Sequence, residues 1–257
     1  MEEYKQNNFA GIIPARYSSS RFPGKPLAMI GNKAMIQRVY EQASKSLDIV
    51  FVATDDKRIY DFVVSFGGKA VMTATTHMSG TDRCAEAIDI INTGRNSQIE
   101  IVVNIQGDEP FIRPEQIDLI KNCFSDETVE IATLVREARG DEDIFHPNQP
   151  KVILNKACDA IYFSRAAIPY FRDAEMKDWT HKHVYYKHMG LYAYKTTTLK
   201  EITKLERTPL EICESLEQNR WIENGYKIRT AITEWESIGI DVPEDIEKAK
   251  TLLDQFN

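Results

Sequence analysis

Phe9-Ala-Gly-Ile-Ile-Pro-Ala-Arg-Tyr-Ser-Ser-Ser-Arg-Phe-Pro-Gly-Lys-Pro-Leu27 is the stretch of sequence that decides the architecture of this chain. Its apolar start, residues 9–13, predicts a short buried strand. Pro14 is expected to end that strand because proline has no N–H to donate. The loop that follows carries Arg16, Arg21 and Lys25 and no acidic residue. Such a loop favours an anion, and the alternative is a solvated basic loop in an acidic protein.

The position of the loop narrows the expected ligand. If the strand belongs to an open parallel sheet, the loop lies at its carboxyl end, where such sheets bind ligands. Separated cations and backbone N–H groups match a polyphosphate, which spreads negative charge over several oxygens. The loop has neither a Walker A sequence, since Pro26 follows Lys25 directly, nor the G-x-G-x-x-G of dinucleotide-binding proteins. A polyphosphate bound by these cations and by backbone N–H groups is therefore predicted.

The composition is that of an ordinary folded protein. The 257 residues are 42% hydrophobic and 28% charged, which suits one large α/β domain or two small ones. The formal net charge of -7 argues against nonspecific binding to nucleic acid or to a membrane surface. The cysteines are far apart, and no stretch has the pattern of a signal peptide or a membrane span. We therefore expect a cytoplasmic protein with free thiols.

Strand and helix patterns alternate through the first half of the chain. Further strands are predicted at 49–54, 69–73, 99–105 and 130–135, and helices at 34–43, 58–66, 82–91 and 117–124. This alternation predicts βα units and a mostly parallel sheet. Residues 136–194 break the rhythm with a polar segment and a hairpin. A helix from Thr208 to Asn224, a strand at 227–232 and a last helix at 243–253 are then predicted.

Two aspartates are candidate metal ligands. Asp108 directly follows a predicted central strand, and its neighbour Gly107 permits close approach of a ligand. Asp241 precedes the last predicted helix. Magnesium prefers a few carboxylates together with phosphate oxygens and water, so both aspartates suit it. The alternatives are a turn role for Gly107-Asp-Glu-Pro110 and a capping role for Asp241.

Three further motifs have both a structural and a functional interpretation. Ser79 is suited to cap the helix that follows it. The planar guanidinium of Arg165 matches either a substrate carboxylate or a structural acid. His188 and Tyr192 share one face of a predicted strand, which fits a core or a pocket position. His181 and His183 have no clear third ligand, so a surface loop or a subunit contact is favoured over a metal site there.

Four motifs occur in the order found in one enzyme family. They are Gly11 to Leu27, Asn104-Ile-Gln-Gly-Asp-Glu-Pro110, His188-Met-Gly-Leu-Tyr192 and Gly239-Ile-Asp-Val-Pro-Glu-Asp245. Through them, nearly the whole chain resembles the 3-deoxy-manno-octulosonate cytidylyltransferases, or CMP-Kdo synthetases. The resemblance implies a single α/β domain over residues 1–257, with a mostly parallel central sheet flanked by helices. This is the Rossmann-like fold of nucleotide-diphospho-sugar transferases, and residues 136–194 would form a β-rich excursion for substrate binding and dimerisation.

The resemblance also implies a reaction. CMP would pass from CTP to the anomeric hydroxyl of 3-deoxy-D-manno-octulosonate (Kdo), a 2-keto-3-deoxy sugar acid, with release of pyrophosphate. The implied setting is lipopolysaccharide biosynthesis by a homodimer that uses Mg²⁺. The implied site residues are Lys25, Asp108 and Arg16 for catalysis, Arg16, Ser19, Arg21, Lys25, Ser79, Gly80, Gln106 and Asp108 for the nucleotide, Arg165, His188, Tyr192, Glu217 and Gln218 for the sugar, and Asp108 and Asp241 for the metal.

Other functions fit the same sequence. The nearest keeps the reaction and changes the sugar to an 8-amino analogue of Kdo or to a sialic acid. A nucleotidyltransferase of the same fold that uses UTP or GTP is a second. A regulatory protein that binds a nucleotide without turnover belongs to a different class.

Overall fold

The computed structural model describes residues 8–19, 21–140, 142–236 and 238–253. In chain order its elements are β1 (Phe9–Ala15), β2 (Met29–Ile30), β3 (Lys33–Ala34), α1 (Met35–Ala43), β4 (Val50–Thr54), α2 (Lys57–Ser65), β5 (Ala70–Met72), α3 (Gly80–Thr93), β6 (Ile101–Asn104), α4 (Pro114–Asn122), β7 (Ile131–Glu137), β8 (Lys151–Leu154), β9 (Ala160–Ser164), α5 (Trp179–Lys182), β10 (Tyr186–Lys195), α6 (Thr196–Ile202), α7 (Pro209–Glu214), α8 (Glu217–Glu223), β11 (Ile228–Ile232) and α9 (Asp245–Leu252). None of the helices in these ranges combines the length and the apolar character that crossing a bilayer requires.

The described chain divides into two compact units. Unit 1 draws on residues 1–118, 193–203 and 237–257, and unit 2 on residues 119–192 and 204–236. The fold is α/β with a mostly parallel sheet and flanking helices, as predicted. That residues 1–257 act as one domain stays a prediction.

Unit 1 is built on parallel strands in the order β6-β1-β4-β5. Helices cover the sheet, so its central strands are apolar on both faces. Ile12 and Ile13 of β1, Val52 of β4 and Val102 of β6 are all fully buried. The predicted strands and helices of this unit are confirmed to within a few residues at their ends.

Pro14 lies inside β1, opposite Ala53 of β4, so the prediction that it ends the strand is wrong. Ile12, two residues earlier, directs its carbonyl toward β6 and accepts the N–H of Ile105 at 3.0 Å. Strand residues two apart share an orientation, so the nitrogen of Pro14 also faces β6. The register pairs of β6 with β1 end at Asn104 and Ile12. Pro14, which has no N–H to donate, therefore lies beyond the last residue pair between β1 and β6.

Unit 2 is a mixed β structure. β11 runs parallel to β7, whereas β8 is antiparallel to both β9 and β10, and β8 with β9 forms the hairpin that was predicted within residues 136–194. Trp179 and Tyr185 form a second core with Ala138 and Ile144. These contacts hold the polar segment between β7 and β8 onto the unit.

An ion network fixes the same segment. Arg136 donates to both carboxylate oxygens of Glu142, at 2.8 and 2.6 Å, and Lys187 donates to Glu142 at 2.6 Å. Hydrogen bonds to the carboxylate, of which those from Arg136 have the largest effect, lower the pKa of Glu142 to about 2. The carboxylate is thus charged over the whole physiological pH range, and it balances the charges of the largely buried Arg136 and Lys187.

The predicted helix from Thr208 to Asn224 is wrong in one respect, because the structure divides it into α7 and α8. Ser215 separates them with a φ of 51°, a left-handed conformation that an α-helix does not continue through. Glu217 and Gln218 therefore lie in the first turn of a new helix. Thr208 precedes α7 as predicted, but its side chain makes no capping hydrogen bond to the described residues.

Candidate active site

A cavity of about 270 Å³ opens in unit 1 at the carboxyl ends of β1 and β6. This is the edge at which an open parallel sheet binds ligands. The cavity brings together all nine residues predicted for the nucleotide and the metal. Its lining includes Arg16, Ser19, Arg21, Lys25, Ser79, Gly80, Gln106, Asp108 and Asp241.

Lys25 lines this cavity and contacts several groups of the unit. Its Nζ lies 2.6 Å from Asp108 Oδ2 and 3.7 Å from Asp241 Oδ1, and it donates to the carbonyl of Ile240 at 2.8 Å. Arg21 also bonds Asp241, with nitrogen-to-oxygen distances of 3.2 and 3.3 Å. One ammonium group thus reaches both predicted metal ligands. The two carboxylates are close enough to share a cation, which the sequence prediction required.

The backbone holds these aspartates together. The N–H of Ile240 donates to the carbonyl of Asp108 at 2.9 Å. Ile240 itself is buried in an apolar cluster with Phe111 of the same unit. Asp241 does not cap the last helix, so that alternative is wrong. The N-cap of α9 is Glu244, and the side chain of Asp245, the first residue of that helix, accepts the N–H groups of Asp241 and Val242 in the preceding turn at 3.0 and 3.2 Å.

The segment before α3 also lines the cavity. Ser79 caps α3 in a reciprocal box, its Oγ accepting the N–H of Asp82 while the Asp82 carboxylate accepts the N–H of Ser79. The capping interpretation of Ser79 is therefore confirmed. Gly80 packs on Pro14, where a Cβ would lie 3.2 Å from the proline ring. A Cβ on Gly107 would lie only 2.9 Å from the Pro14 carbonyl, so glycine at 107 lets the loop after β6 approach β1.

Ser19 and two residues for which the sequence predicted no role also line the cavity. The Ser19 hydroxyl accepts the N–H of Phe22 at 3.2 Å, which folds the basic loop back on itself. Arg83 lines the cavity, but it is buried and donates to Asp55 at 2.8 Å and to Thr73 at 2.6 Å. His77 also lines the cavity and its Nε2 bonds Glu86. Their nearness to Ser79 in the sequence was the available signal.

In unit 2, His188 and Tyr192 lie side by side on β10, as their alternation predicted. Their ring centres are 5.2 Å apart, and the ring of Phe163 packs edge-on against His188 at 5.0 Å. His188 Nε2 lies 3.1 Å from the hydroxyl of Thr133, which in turn donates to the carbonyl of Leu191 at 2.8 Å. Burial lowers the pKa of His188 to about 3, so the imidazole is neutral at physiological pH.

The predicted sugar-binding residues of α8 lie nearby in the same unit. Glu217 accepts a hydrogen bond from Arg220 at 2.6 Å, and Gln218 is buried. Burial, and secondly the charge of Glu217, raise the pKa of Tyr192. The side chain of Asn219 bonds both backbone groups of Phe163, at 2.9 and 3.3 Å, and so fastens α8 to β9. This contact explains why the side-chain amide of Asn219 is buried next to Glu217 and Gln218.

Arg165 has a structural environment that the sequence did not indicate. Its guanidinium donates to three backbone carbonyls, those of Glu214, Pro147 and Ser215, at 2.6, 2.9 and 3.3 Å. From the sequence, the expected partner of Arg165 was either a substrate carboxylate or a structural acid. Neither interpretation included these contacts with backbone carbonyls. The group holds the Ser215 turn in place, and its role as a sugar-acid anchor stays a prediction.

The residues predicted for the site thus fall into two groups, one in each unit. Among the residues that the structure describes, no cluster of three or more His, Cys, Asp or Glu side chains has the arrangement of a metal site. The cavity in unit 1 provides two carboxylates. A metal that keeps most of its coordination for phosphate oxygens and water needs no more from the protein.

Comparisons with known proteins identify the family. The family model described as Cytidylyltransferase matches residues 10–228. The 3-deoxy-manno-octulosonate cytidylyltransferase of Parabacteroides distasonis is 58% identical over 95% of this chain and 98% of its own. That of Bacteroides thetaiotaomicron is 56% identical over 95% and 98%. The chain belongs to the 3-deoxy-manno-octulosonate cytidylyltransferase family.

A solved structure extends this family relationship to three dimensions. It is that of a CMP:2-keto-3-deoxy-manno-octonic acid synthetase complexed with CTP, and it is 40% identical to this chain. The similarity covers 98% of this chain and 100% of the solved one, with a TM-score of 0.88. The family resemblance inferred from four motifs is therefore confirmed over nearly the full length. The roles of individual residues stay predictions.

Proposed function

We propose that the protein transfers CMP from CTP to the anomeric hydroxyl of Kdo and releases pyrophosphate. The observation that carries this proposal is the cavity around Lys25, whose lining includes all nine residues predicted for the nucleotide and the metal. Further support comes from family membership and from the 40% identical synthetase, whose solved structure is a complex with CTP. The product would enter lipopolysaccharide biosynthesis.

The nucleotide is held chiefly by charge. Arg16, Arg21 and Lys25 supply three cations around the space for a triphosphate, and the segment at Ser79 and Gly80 would face the cytosine. Gln106 also lines the cavity. In the proposed step the anomeric oxygen bonds to the α-phosphorus while the bond from that phosphorus to the leaving pyrophosphate breaks. Lys25 would stabilise the charge that develops on the leaving oxygen.

Asp108 and Asp241 would hold Mg²⁺, because a single ammonium group already reaches both carboxylates. When bound, the ion would neutralise phosphate charge and lower the pKa of a sugar hydroxyl near it. Lys25 has to leave its position between the carboxylates for this to occur, and the triphosphate gives its ammonium group new partners. Metal and nucleotide binding are therefore expected to be coupled.

The sugar acid would contact residues of unit 2. A neutral His188 offers hydrogen bonds without a positive charge. It therefore suits the hydroxyl groups of the sugar acid better than it suits the carboxylate of the sugar acid. Glu217 and Gln218 provide further hydrogen-bonding groups for hydroxyls. Arg165 would contribute through the guanidinium N–H groups that do not donate to its three carbonyl partners.

The proposed setting is a homodimer in the cytosol. Support for the dimer is the concentration of exposed apolar side chains in unit 2, which include Ile161, Tyr170, Val184 and Ile212. Support for a reducing compartment is that Cys84, Cys123, Cys158 and Cys213 are all free thiols. Size-exclusion chromatography with light scattering tests the dimer directly.

One assay tests the reaction. Purified protein is mixed with CTP, Mg²⁺ and Kdo, and pyrophosphate release is followed with a coupled enzyme. We expect turnover that requires all three components. Binding of CTP without pyrophosphate release would instead indicate a regulatory nucleotide-binding protein. Replacing Kdo by its 8-amino analogue or a sialic acid, and CTP by UTP or GTP, assigns the sugar and the base.

A further inference from the structure

A stack of three side chains supports the basic loop from outside the cavity. Asp56 and Arg58 form a bidentate pair, with Nε to Oδ1 at 2.9 Å and Nη2 to Oδ2 at 2.6 Å. The guanidinium carbon of Arg58 lies 3.3 Å from the centre of the Tyr17 ring. Tyr17 belongs to the loop that carries Arg16, Arg21 and Lys25. None of the three stacked residues is part of the cavity lining.

Asp56 and Arg58, the ion pair of this stack, lie at the start of helix α2. Asp56 is the N-cap of α2, and its Oδ1 accepts the backbone N–H of Arg58 at 2.9 Å as well as the N–H of the side chain. Hydrogen bonding from Arg58 lowers the pKa of Asp56, so the carboxylate is charged. The two-point contact fixes the plane of the guanidinium, which a single hydrogen bond would leave free to rotate.

The other end of the stack closes the loop just before Lys25. The carbonyl of Tyr17 accepts the N–H of Gly24 at 2.9 Å. The Tyr17 ring also covers Gly24, since a Cβ there would lie 3.1 Å from the ring carbon Cζ and from the hydroxyl oxygen. Gly24 has a φ of 73° and leads into the single turn of 3₁₀ helix that starts at Lys25. The position of Lys25 therefore depends on where the Tyr17 ring lies.

We propose that Arg58, held by Asp56, is a positioning residue that keeps the triphosphate loop in its binding conformation by stacking on Tyr17. A loop that is ordered before the ligand arrives loses less conformational entropy on binding, which raises affinity. This inference rests on the proposed function, because it takes CTP as the ligand. A purely local surface contact is the alternative, and it would leave CTP affinity unchanged.

Calorimetric titration with CTP tests the role of the stack. We compare Arg58→Ala with Lys57→Ala, a control on the same helix turn whose exposed side chain pairs only with Asp61 among the described residues. Arg58→Ala should raise the Kd for CTP about threefold to tenfold, the scale of losing one cation–π contact. The kcat at saturating CTP should stay within about twofold of the parent, since Arg58 touches no reacting atom.

A double-mutant cycle separates the stack from a general loss of stability. Tyr17→Leu alone and together with Arg58→Ala should raise the Kd to the same extent, because either change breaks the same contact. Tyr17→Phe keeps the ring face and should bind CTP like the parent. Additive effects of the two changes, or equal CTP binding by Arg58→Ala and Lys57→Ala, would overturn the inference. Failure of the parent protein to bind CTP would instead overturn the proposed function.

Discussion

Replacing Lys25 by methionine gives a direct test of how the cavity works. The ammonium group of Lys25 lies 2.6 Å from Asp108 and 3.7 Å from Asp241, and its side chain is only 16% exposed. It occupies the position that a divalent ion would need. Methionine keeps most of the side-chain volume and removes the charge. The free Lys25→Met protein should therefore bind Mn²⁺, a substitute for Mg²⁺, more tightly than the parent.

The size of the effect follows from the contacts. Two unit charges about 4 Å apart interact by about 4 kcal/mol at an effective dielectric constant of about 20, near a protein surface. Asp241 is 57% exposed, and exposed pairs contribute at most about 1 kcal/mol. The pair with Asp108 is better shielded from water. We expect a net gain of about 1.4 kcal/mol in metal binding, which is about a tenfold lower Kd for Mn²⁺.

The assay is a titration with Mn²⁺ followed by electron paramagnetic resonance in the absence of nucleotide. Lys33→Met is the matched control, because Lys33 forms an equally short ion pair with Glu41 outside the cavity lining. In the presence of CTP and Kdo, Lys25→Met should lose at least about a hundredfold in kcat, the scale for one transition-state donor. Unchanged Mn²⁺ affinity would refute the competition between lysine and metal, and normal turnover would refute the catalytic role.

Four further substitutions test the two predicted metal ligands, the ion network of Glu142 and the buried His188. Asp108→Asn and Asp241→Asn should each abolish Mg²⁺-dependent pyrophosphate release while the circular dichroism spectrum is retained; full activity in either would remove that residue from the metal site. Glu142→Gln should lower the free energy of unfolding by about 2–4 kcal/mol in urea, because it removes the carboxylate that two buried cations share and leaves Arg136 with its longer carboxylate contact, to Glu236 at 3.4 Å; a change below about 0.5 kcal/mol would contradict the ion network. Because the pKa of His188 falls from 6.5 to about 3 in the folded protein, the unfolded state binds more protons between these values, and stability should decrease as the pH falls below 6.5. His188→Gln should weaken this decrease between pH 7 and pH 5, and an unchanged decrease would show that the imidazole is not held neutral.

Much of the fold and of the cavity was predictable because local patterns and tertiary structure agree in unit 1. Continuous apolar runs such as Val50–Thr54 form central strands, and a glycine with a φ of 84°, Gly67, follows α2. Asp108 could be placed at the sheet edge because it follows a buried strand. Asp241 could be brought to the same place only through the family resemblance, since 132 residues separate the two in the sequence.

Other features depend on contacts that no local pattern reveals. Pro14 is tolerated in β1 because pairing with β6 stops two residues earlier, and that register is a tertiary property. Ser215 breaks a helix-forming stretch, and the backbone carbonyls around it are held by Arg165 from a distant strand end. The position of Lys25 between two carboxylates is also a long-range effect. The sequence indicated its charge but gave no indication of its partners in the free protein.

Anomalous diffraction from crystals containing CTP and Mn²⁺ would show how the cavity binds its metal and nucleotide together. We expect a manganese peak within about 2.5 Å of carboxylate oxygens of both Asp108 and Asp241, in contact with the phosphates, with Lys25 moved from the carboxylates to the triphosphate. A manganese peak that contacts neither aspartate, or a Lys25 that still bonds Asp108 in the complex, would contradict the proposed exchange of lysine for metal.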